Sequence, residues 1–373
     1  MKTVSISIVA LAGIAASASA IDLTHLKTID VSAFSASSTA ANYIGSNPSA
    51  IAWDGTDLYV GGYNSAGAVA PTAINKVSSA LSSDSLGATS FGSFGTANSR
   101  GIAGLAIKNG QLAAGLDNGG GNANSVRAFS VTGTPTQQWS IGAPTSGTGD
   151  STRRGMALDF DPGFNAGGTN QGIAYLSTGS GRRHLLNSAS GLYINGQNAG
   201  AIINFNPAST TWRDMAFNPS TGDLYTRESN RVGKAVRNGD NSFTTVSGGQ
   251  SVAIVTGTVA AGVDNQNLAF INSPTQGNFL MYNDRSVVTP GQAFSNVVKA
   301  VDLNGAALTL NFLNAFSALD GNGAYDFSFN AASNTLAVSD FANRKVYLFG
   351  VPTPGSLGAL GLAGLVATRR RRA

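Results

Sequence analysis

Cysteine is absent from this 373-residue chain, histidine occurs only twice, and glutamate only once. Without cysteine the chain has no disulfide bonds, no thiolate metal site and no cysteine nucleophile. A Ser-His-Asp hydrolase would have to use His25 or His184, and a paired-glutamate mechanism has only Glu228. The sequence also lacks the G-x-S-x-G, H-E-x-x-H and P-loop motifs. We therefore predict no catalytic residue. The alternative that remains open is that His184 is a catalytic residue in a loop.

Charged residues are also scarce, at 11% of the chain, although the isoelectric point is 9.4. Five of the 23 lysines and arginines are Lys2 and Arg369–Arg372, which leaves 18 basic residues against 19 acidic ones between them. The body of the chain is thus nearly neutral, and the sequence does not indicate nucleic acid as a partner.

Hydrophobic residues make up 42% of the chain and glycine occurs 47 times, so the composition is that of a folded protein rather than a disordered one or a membrane bundle. Abundant Gly, Ser, Thr and Asn favour short strands joined by tight turns. We expect an all-β fold, in one large domain or two small ones.

The first twenty residues have the three parts of a secretion signal. Lys2 provides the positive start, an apolar run follows from Val4 to Ala15, and Ala18-Ser19-Ala20 provides small residues at the cleavage site. We expect cleavage between Ala20 and Ile21. A buried N-terminal helix is the alternative.

The last 23 residues combine prolines, a short apolar segment and a basic end. The apolar segment, Leu357–Ala367, would span roughly 16 Å as a helix, against about 30 Å for a bilayer core. The basic end, Arg369–Arg372, would resist translocation. This pattern predicts a transient transmembrane segment that is processed later.

Residues 351–373 resemble the PEP-CTERM sorting signal of exported bacterial proteins. The resemblance consists of Val351-Pro352-Thr353-Pro354, the short apolar segment, and Arg369, Arg370, Arg371 and Arg372. It implies that an exosortase-type membrane enzyme recognises and removes the tail, and that the body is delivered to the cell surface or extracellular matrix. The expected domains are a signal peptide (1–20), a body (21–350) and a sorting signal (351–373).

The body repeats one pattern, in which a small residue between two apolar ones is followed by a polar turn and a second apolar strand. The small residues are Ala52, Ala106, Ala157, Ala216, Ala269 and Ser328, spaced by 51 to 59 residues. Three or four strands in a unit of about 55 residues are typical of a β-propeller blade. We therefore predict a propeller of six blades, with a β-sandwich or jelly roll as the alternative.

The final unit, Leu336–Phe349, reads LAVSDFANRKVYLF and resembles the NHL and YVTN propeller repeats. A ring must join its last blade to its first to leave no open strand edge. We expect His25–Val31 to form a strand that completes the blade containing Leu336–Phe349.

Two kinds of candidate site follow from the predicted fold. If the repeated triplets are inner strands, the residues three positions before each small residue gather at one mouth of the central channel; they are Ser49, Ala103, Arg154, Arg213, Gln266 and Tyr325. Arginine, amide and hydroxyl groups there would suit an anionic or polyhydroxylated ligand. Calcium would find oxygen ligands in two loop-like groups, Asp320, Asn322 and Asp326, and Asp159 and Asp161.

The sequence favours a non-enzymatic binding or structural module outside the cell, whose partner is an envelope or matrix polysaccharide or protein. The alternative is an aspartate- or calcium-dependent hydrolase or lyase that acts on an extracellular polymer. The ligand itself is not predicted.

Overall fold

The computed structural model describes residues 20–352 apart from the segments 65–71, 84–87, 95–100, 118–124, 143–156, 167–169, 178–181, 193, 195–211, 229–230, 240–242, 245–250, 257–266, 285–291, 315–318 and 321–324. The fold is all-β. Its helices within these residues are a 3-10 turn at Ser32–Ser35 and one α-helical turn, α1, at Phe294–Val297. Neither has the length or the apolar content needed to span a bilayer. The predicted apolar segment Leu357–Ala367 lies outside the described residues.

After the first strand, β1 (Ala20–Asp30), the chain forms antiparallel meanders in which consecutive strands pair. The first contains β2 (Asn47–Trp53), β3 (Leu58–Tyr63), β4 (Thr72–Val77) and β5 (Ala88–Phe94). The second contains β6 (Gly101–Lys108), β7 (Gln111–Asp117), β8 (Ser125–Ser130) and β9 (Thr136–Gly142). The next contains β10 (Ala157–Ala166), β11 (Asn170–Ser177) and β12 (Arg182–Asn187).

The second half of the chain continues in the same way. The following meander contains β13 (Trp212–Phe217), β14 (Leu224–Glu228), β15 (Arg231–Arg237), β16 (Phe243–Thr244) and β17 (Val252–Thr256). The next contains β18 (Leu268–Ser273), β19 (Gly277–Asn283), β20 (Gln292–Ala293), β21 (Val298–Val301) and β22 (Ala307–Leu313). The last contains β23 (Leu319–Asp320), β24 (Tyr325–Asn330), β25 (Thr335–Asp340) and β26 (Lys345–Gly350). β20 and β23 pair with each other rather than with the main sheets.

The small residue of each predicted triplet lies in the first main strand of its meander. These inner strands contact one another in order: β2 with β6, β6 with β10, β10 with β13, β13 with β18, β18 with β24, and β24 with β2. The small central residues allow this close approach. The arrangement is that of a β-propeller and not of a two-sheet sandwich. The count of six blades stays a prediction, because long connections such as 195–211 lie outside the described residues.

The N-terminal strand closes the ring, as predicted, but it does more than complete one blade. Residues Thr24–Asp30 of β1 pair antiparallel with β26, the third strand of the last meander. Residues Ala20–Thr24 pair in parallel with β22 of the preceding meander, which the sequence did not predict. β1 therefore joins two neighbouring blades at their outer edges and leaves neither edge open there.

Apolar side chains fill the spaces between neighbouring meanders. Ile21 and Leu23 of β1 pack with Phe349 in one such cluster, and Trp53 and Leu348 meet in the cluster between the first and last meanders. The Trp53 indole N–H donates to Thr335 Oγ1 at 2.7 Å, so this tryptophan is a core residue. Burial of these apolar side chains between neighbouring blades stabilises the ring by the hydrophobic effect.

Candidate functional site

The inner strands surround a central cavity of about 150 Å³. The repeated small residues Ala106, Ala216, Ala269 and Ser328 all line it. Three aspartates also face this cavity: Asp159 from β10, Asp214 from β13 and Asp326 from β24. The centre of the propeller is thus narrow, polar and acidic.

Each of these aspartates joins two neighbouring blades. One carboxylate oxygen accepts the N–H of the next residue in its own strand, and the other accepts an N–H from the inner strand of the following blade. The second set of bonds is Phe217 N–H to Asp159 (3.1 Å), Leu268 N–H to Asp214 (2.8 Å) and Ile51 N–H to Asp326 (2.6 Å). The aspartates therefore pair backbone groups that the ladder of each separate blade leaves unpaired.

Burial disfavours the charged form of all three carboxyl groups. Loss of hydration raises the pKa of Asp159 to about 6 and that of Asp326 to about 7, and this outweighs the stabilising N–H donors. The pKa of Asp214 is also raised well above its usual value, first by burial and then by the charge of Asp326. Asn267 occupies the equivalent position in the blade between Asp214 and Asp326, and its side chain hydrogen-bonds to Asp326.

A wider cavity of about 640 Å³ opens at the end of the channel where the inner strands finish. We call this cavity the funnel. Ile107, Phe217, Phe270 and Phe329 line both the funnel and the channel below it, and of these Ile107 and Phe329 are partly exposed. Asp159 is likewise shared by the two cavities, so a carboxyl group lies at the base of the funnel.

The polar residues of the funnel fall into two groups. Asp54 and Asn330 are engaged within the protein: Asp54 accepts the N–H groups of Thr56 and Asp57, and Asn330 donates to Asp54 O at 2.7 Å. A second group has side chains that make no hydrogen bond or ion pair with any described residue; its members are Thr56, Lys108, Asn109 and Asn272. Their amide, hydroxyl and ammonium groups are available to a ligand.

Those of the predicted mouth residues that the structure describes lie at the opposite end, where the inner strands begin. Ser49 donates its hydroxyl to Ile102 O at 2.6 Å. Arg213 and Tyr325 begin or nearly begin β13 and β24, but their side chains are outside the description, as are Arg154 and Gln266 entirely. A ligand site there stays a prediction, which an Arg154→Gln, Arg213→Gln double variant would test.

The predicted calcium ligands are not brought together in the described part of the chain. Asp161 forms an ion pair with Arg237, whose guanidinium lies 4.6 Å from the Phe243 ring centre. Asp159 and Asp326 bind backbone N–H groups in separate blades. The side chain of Asp320, in β23, and all of Asn322 lie outside the description. No group of three or more His, Asp or Glu residues among the described residues is placed to hold a metal ion.

The predicted processing sites lie at the edges of the folded body. Ala20 and Ile21 begin β1, and Ile21 is buried. Val351 is also buried, and the Pro352 carbonyl accepts a hydrogen bond from Gln276 at 2.9 Å. Pro354 and Arg369–Arg372 are outside the described residues. Cleavage at these sites stays a prediction.

The sequence analysis did not predict the funnel, although the sequence contains a pattern that marks its position. In several repeats the residue just after the small central residue is aromatic, as in Trp53, Phe217, Phe270 and Phe329. These residues mark the far ends of the inner strands. The predicted channel-mouth residues lie instead at the beginnings of these strands.

No protein family and no curated protein matches this sequence. Among solved structures, an auxiliary nutrient-binding protein from Bacteroides thetaiotaomicron has a TM-score of 0.51 at 9% identity, over 82% of this chain and 69% of that one. A protein of unknown function from the same organism has a TM-score of 0.51 at 11% identity, over 90% and 75% of the two chains. The WD40 domain of Neurospora crassa Pan2 has a TM-score of 0.46 at 11% identity, over 90% and 97%. At such low identity the likeness extends to the fold alone, and in fold this chain is a β-propeller.

Proposed function

We propose that this chain is an exported bacterial β-propeller that acts as a binding module at the cell surface or in the extracellular matrix, with the funnel as its binding site. The observation that carries the proposal is the funnel itself. It is a cavity of about 640 Å³ in which the side chains of Thr56, Lys108, Asn109 and Asn272 make no hydrogen bond or ion pair with a described residue. Concave sites of this size with a few convergent polar groups are typical of ligand pockets.

The position of the funnel on a rigid ring supports this use. Its lining comes from the ends of neighbouring inner strands, each held to the next by hydrogen bonds such as that from Phe217 to Asp159. A ligand would meet a backbone whose position is already set, so little ordering of the main chain is needed on binding. The fold is also that of a protein described as nutrient-binding, which agrees with a binding role.

The export half of the proposal comes from the terminal segments. Cleavage before Ile21 would leave nearly the whole of β1 in place, because the strand begins at Ala20. The sorting motif begins at Val351, directly after β26, and its first two residues are held by the body, because Val351 is buried and the Pro352 carbonyl accepts a hydrogen bond from Gln276. The C-terminal apolar segment would anchor the chain only until the tail is removed.

The test compares a funnel variant with a matched control for binding to purified envelope polysaccharides and surface proteins. Lys108→Met combined with Asn272→Ala changes two funnel groups that make no hydrogen bond or ion pair within the described part of the chain. Lys345→Met changes a lysine at the start of β26, at the other end of the ring. We expect the funnel variant to bind at least about tenfold more weakly than the parent, and the control to bind equally well. Unchanged binding by a folded funnel variant would refute the funnel as the site.

A further inference from the structure

The funnel has one cation, Lys108, among its described lining residues, and the charge of this lysine acts on the Asp159 carboxyl group at the base. Lys108 ends β6 and is half-buried in the wall, without an ion pair to any described residue. The nearby acid on the rim, Asp54, already accepts two backbone N–H groups, at 2.8 and 2.7 Å. An ammonium held in a partly apolar cavity favours a ligand that brings a negative charge.

The neutral groups of the funnel narrow the class of ligand further. Asn109 and Asn272 each present an amide with both donors and an acceptor, and Thr56 presents a hydroxyl. An alkyl carboxylate would pair with none of these groups, and Asn272, which is partly buried, would lose hydration without gaining a hydrogen bond. A ligand rich in hydroxyl groups would pair with them.

The apolar lining adds a third requirement. Ile107 and Phe329 line the cavity and are partly exposed, whereas Phe217 and Phe270 are packed in the clusters between blades. A small inorganic anion would leave the exposed surface of Ile107 and Phe329 in contact with water, whereas the C–H faces of a sugar ring would cover it. Charge, hydroxyl groups and an apolar face occur together in a sugar acid.

We propose that the funnel binds the uronic acid residues of an acidic polysaccharide, with Lys108 paired to the sugar carboxylate and Asn109 and Asn272 bonded to its hydroxyl groups. This inference rests on the proposed function and names its ligand class. The volume of about 640 Å³ lies within the range of small-molecule pockets and is large enough for a short oligosaccharide end rather than a whole chain.

The carboxyl group at the base of the funnel makes the binding depend on pH. Burial raises the pKa of Asp159 to about 6, with Lys108 opposing this shift and the charge of Asp161 adding to it. Asp161 is itself paired with Arg237, and Asp214 faces the same channel from β13. As pH rises from 5 to 7, Asp159 becomes charged and reduces the attraction of the funnel for an anion. The affinity for an uncharged sugar would not depend on this charge.

The experiment measures binding of the full chain to trigalacturonate and to its neutral methyl ester by calorimetry at pH 5 and pH 7. We expect the acid to bind at least about tenfold more tightly than the ester at pH 5, with a smaller difference at pH 7. Lys108→Met should remove the preference for the acid. Asn272→Ala should weaken both probes by a similar factor of about three to ten, and Lys345→Met should change neither.

The outcomes separate this inference from the proposed function. If the ester binds as tightly as the acid and Asn272→Ala weakens both, the funnel is a binding site but the preference for uronic acids is wrong. Equal binding of the acid by the parent and by Lys108→Met would also overturn it. If neither probe binds while the funnel variant still loses its envelope ligands, the sugar-acid class fails alone. If the envelope ligands are also retained by the funnel variant, both proposals fail.

Discussion

The side chain of Gln276 pairs with the backbone of Asp22 in both directions, although the two residues are 254 positions apart. Asp22 N–H donates to Gln276 Oε1 at 3.0 Å, and Gln276 Nε2 donates to Asp22 O at 3.0 Å. The same Nε2 also donates to Pro352 O at 2.9 Å. One side chain in the β18–β19 turn thus holds both the first strand and Pro352, the last residue that the structure describes.

We expect Gln276→Ala to destabilise the protein by about 1–3 kcal/mol, because it leaves partly buried backbone groups without partners. Gln276→Glu should destabilise as well, since a carboxylate cannot donate to the Asp22 and Pro352 carbonyl groups. Urea unfolding followed by circular dichroism measures both. Asn278→Ala, at an exposed position just after the same turn, is the control and should be nearly neutral. Equal stability of Gln276→Ala and the control would show that this junction does not hold the termini.

The closing strand offers a second, internally matched test. Leu23 of β1 is fully buried in the cluster between the last two meanders, whereas Leu26 of the same strand is 47% exposed. We expect Leu23→Ala to lower the free energy of unfolding by about 2–5 kcal/mol, through lost burial and the cavity left behind. Leu26→Ala should change it by less than about 1 kcal/mol. Two variants of equal stability would contradict the role of β1 in the core.

The aspartates of the channel predict how stability depends on pH. The unfolded pKa of an aspartate is about 3.9, while the folded values are about 6 for Asp159 and about 7 for Asp326. Between these values the folded protein binds more protons than the unfolded chain, so the free energy of unfolding should fall as pH rises from about 4 to about 7.

Asp326→Asn should reduce this pH dependence, because it removes one of the groups and also the charge that raises the pKa of Asp214. Asn267 shows that an amide is accommodated at the equivalent position of the neighbouring blade. Urea unfolding at a series of pH values gives the slope for the parent and the variant. A parent protein that gains stability over this range would contradict the account of the channel carboxyl groups.

Processing gives a prediction about the mature chain. Mass spectrometry of protein released from the cell surface should show a first residue of Ile21 and no Arg369–Arg372. We expect replacement of Ala18 and Ala20 by larger residues to block the first cleavage, because signal peptidase requires small residues there. A mature surface protein that keeps its arginine tail would refute the sorting hypothesis.

Much of the fold follows from local patterns in the sequence. The repeated triplet with a small centre predicted the inner strands, because only a small side chain fits where neighbouring backbones crowd around an axis. The turn residues predicted the hairpins, as at Asn218, whose backbone N–H bonds to Asp223 O at 2.9 Å. The need to close a ring predicted that β1 would pair with β26.

The candidate site was decided by the tertiary structure. Alternation of side chains along a strand shows which residues face the core, but not which end of the channel is wide, because this depends on how the twisted strands tilt around the axis. The hydrogen bonds between blades also depend on the tertiary structure. Asp326 meets the Ile51 N–H across 275 residues of sequence, and no local pattern identifies that partner. The sequence by itself therefore determined the strands, their order and the closing element, while only the assembled ring brought Asp159 and Lys108 to one cavity and raised the pKa of its carboxyl groups through burial.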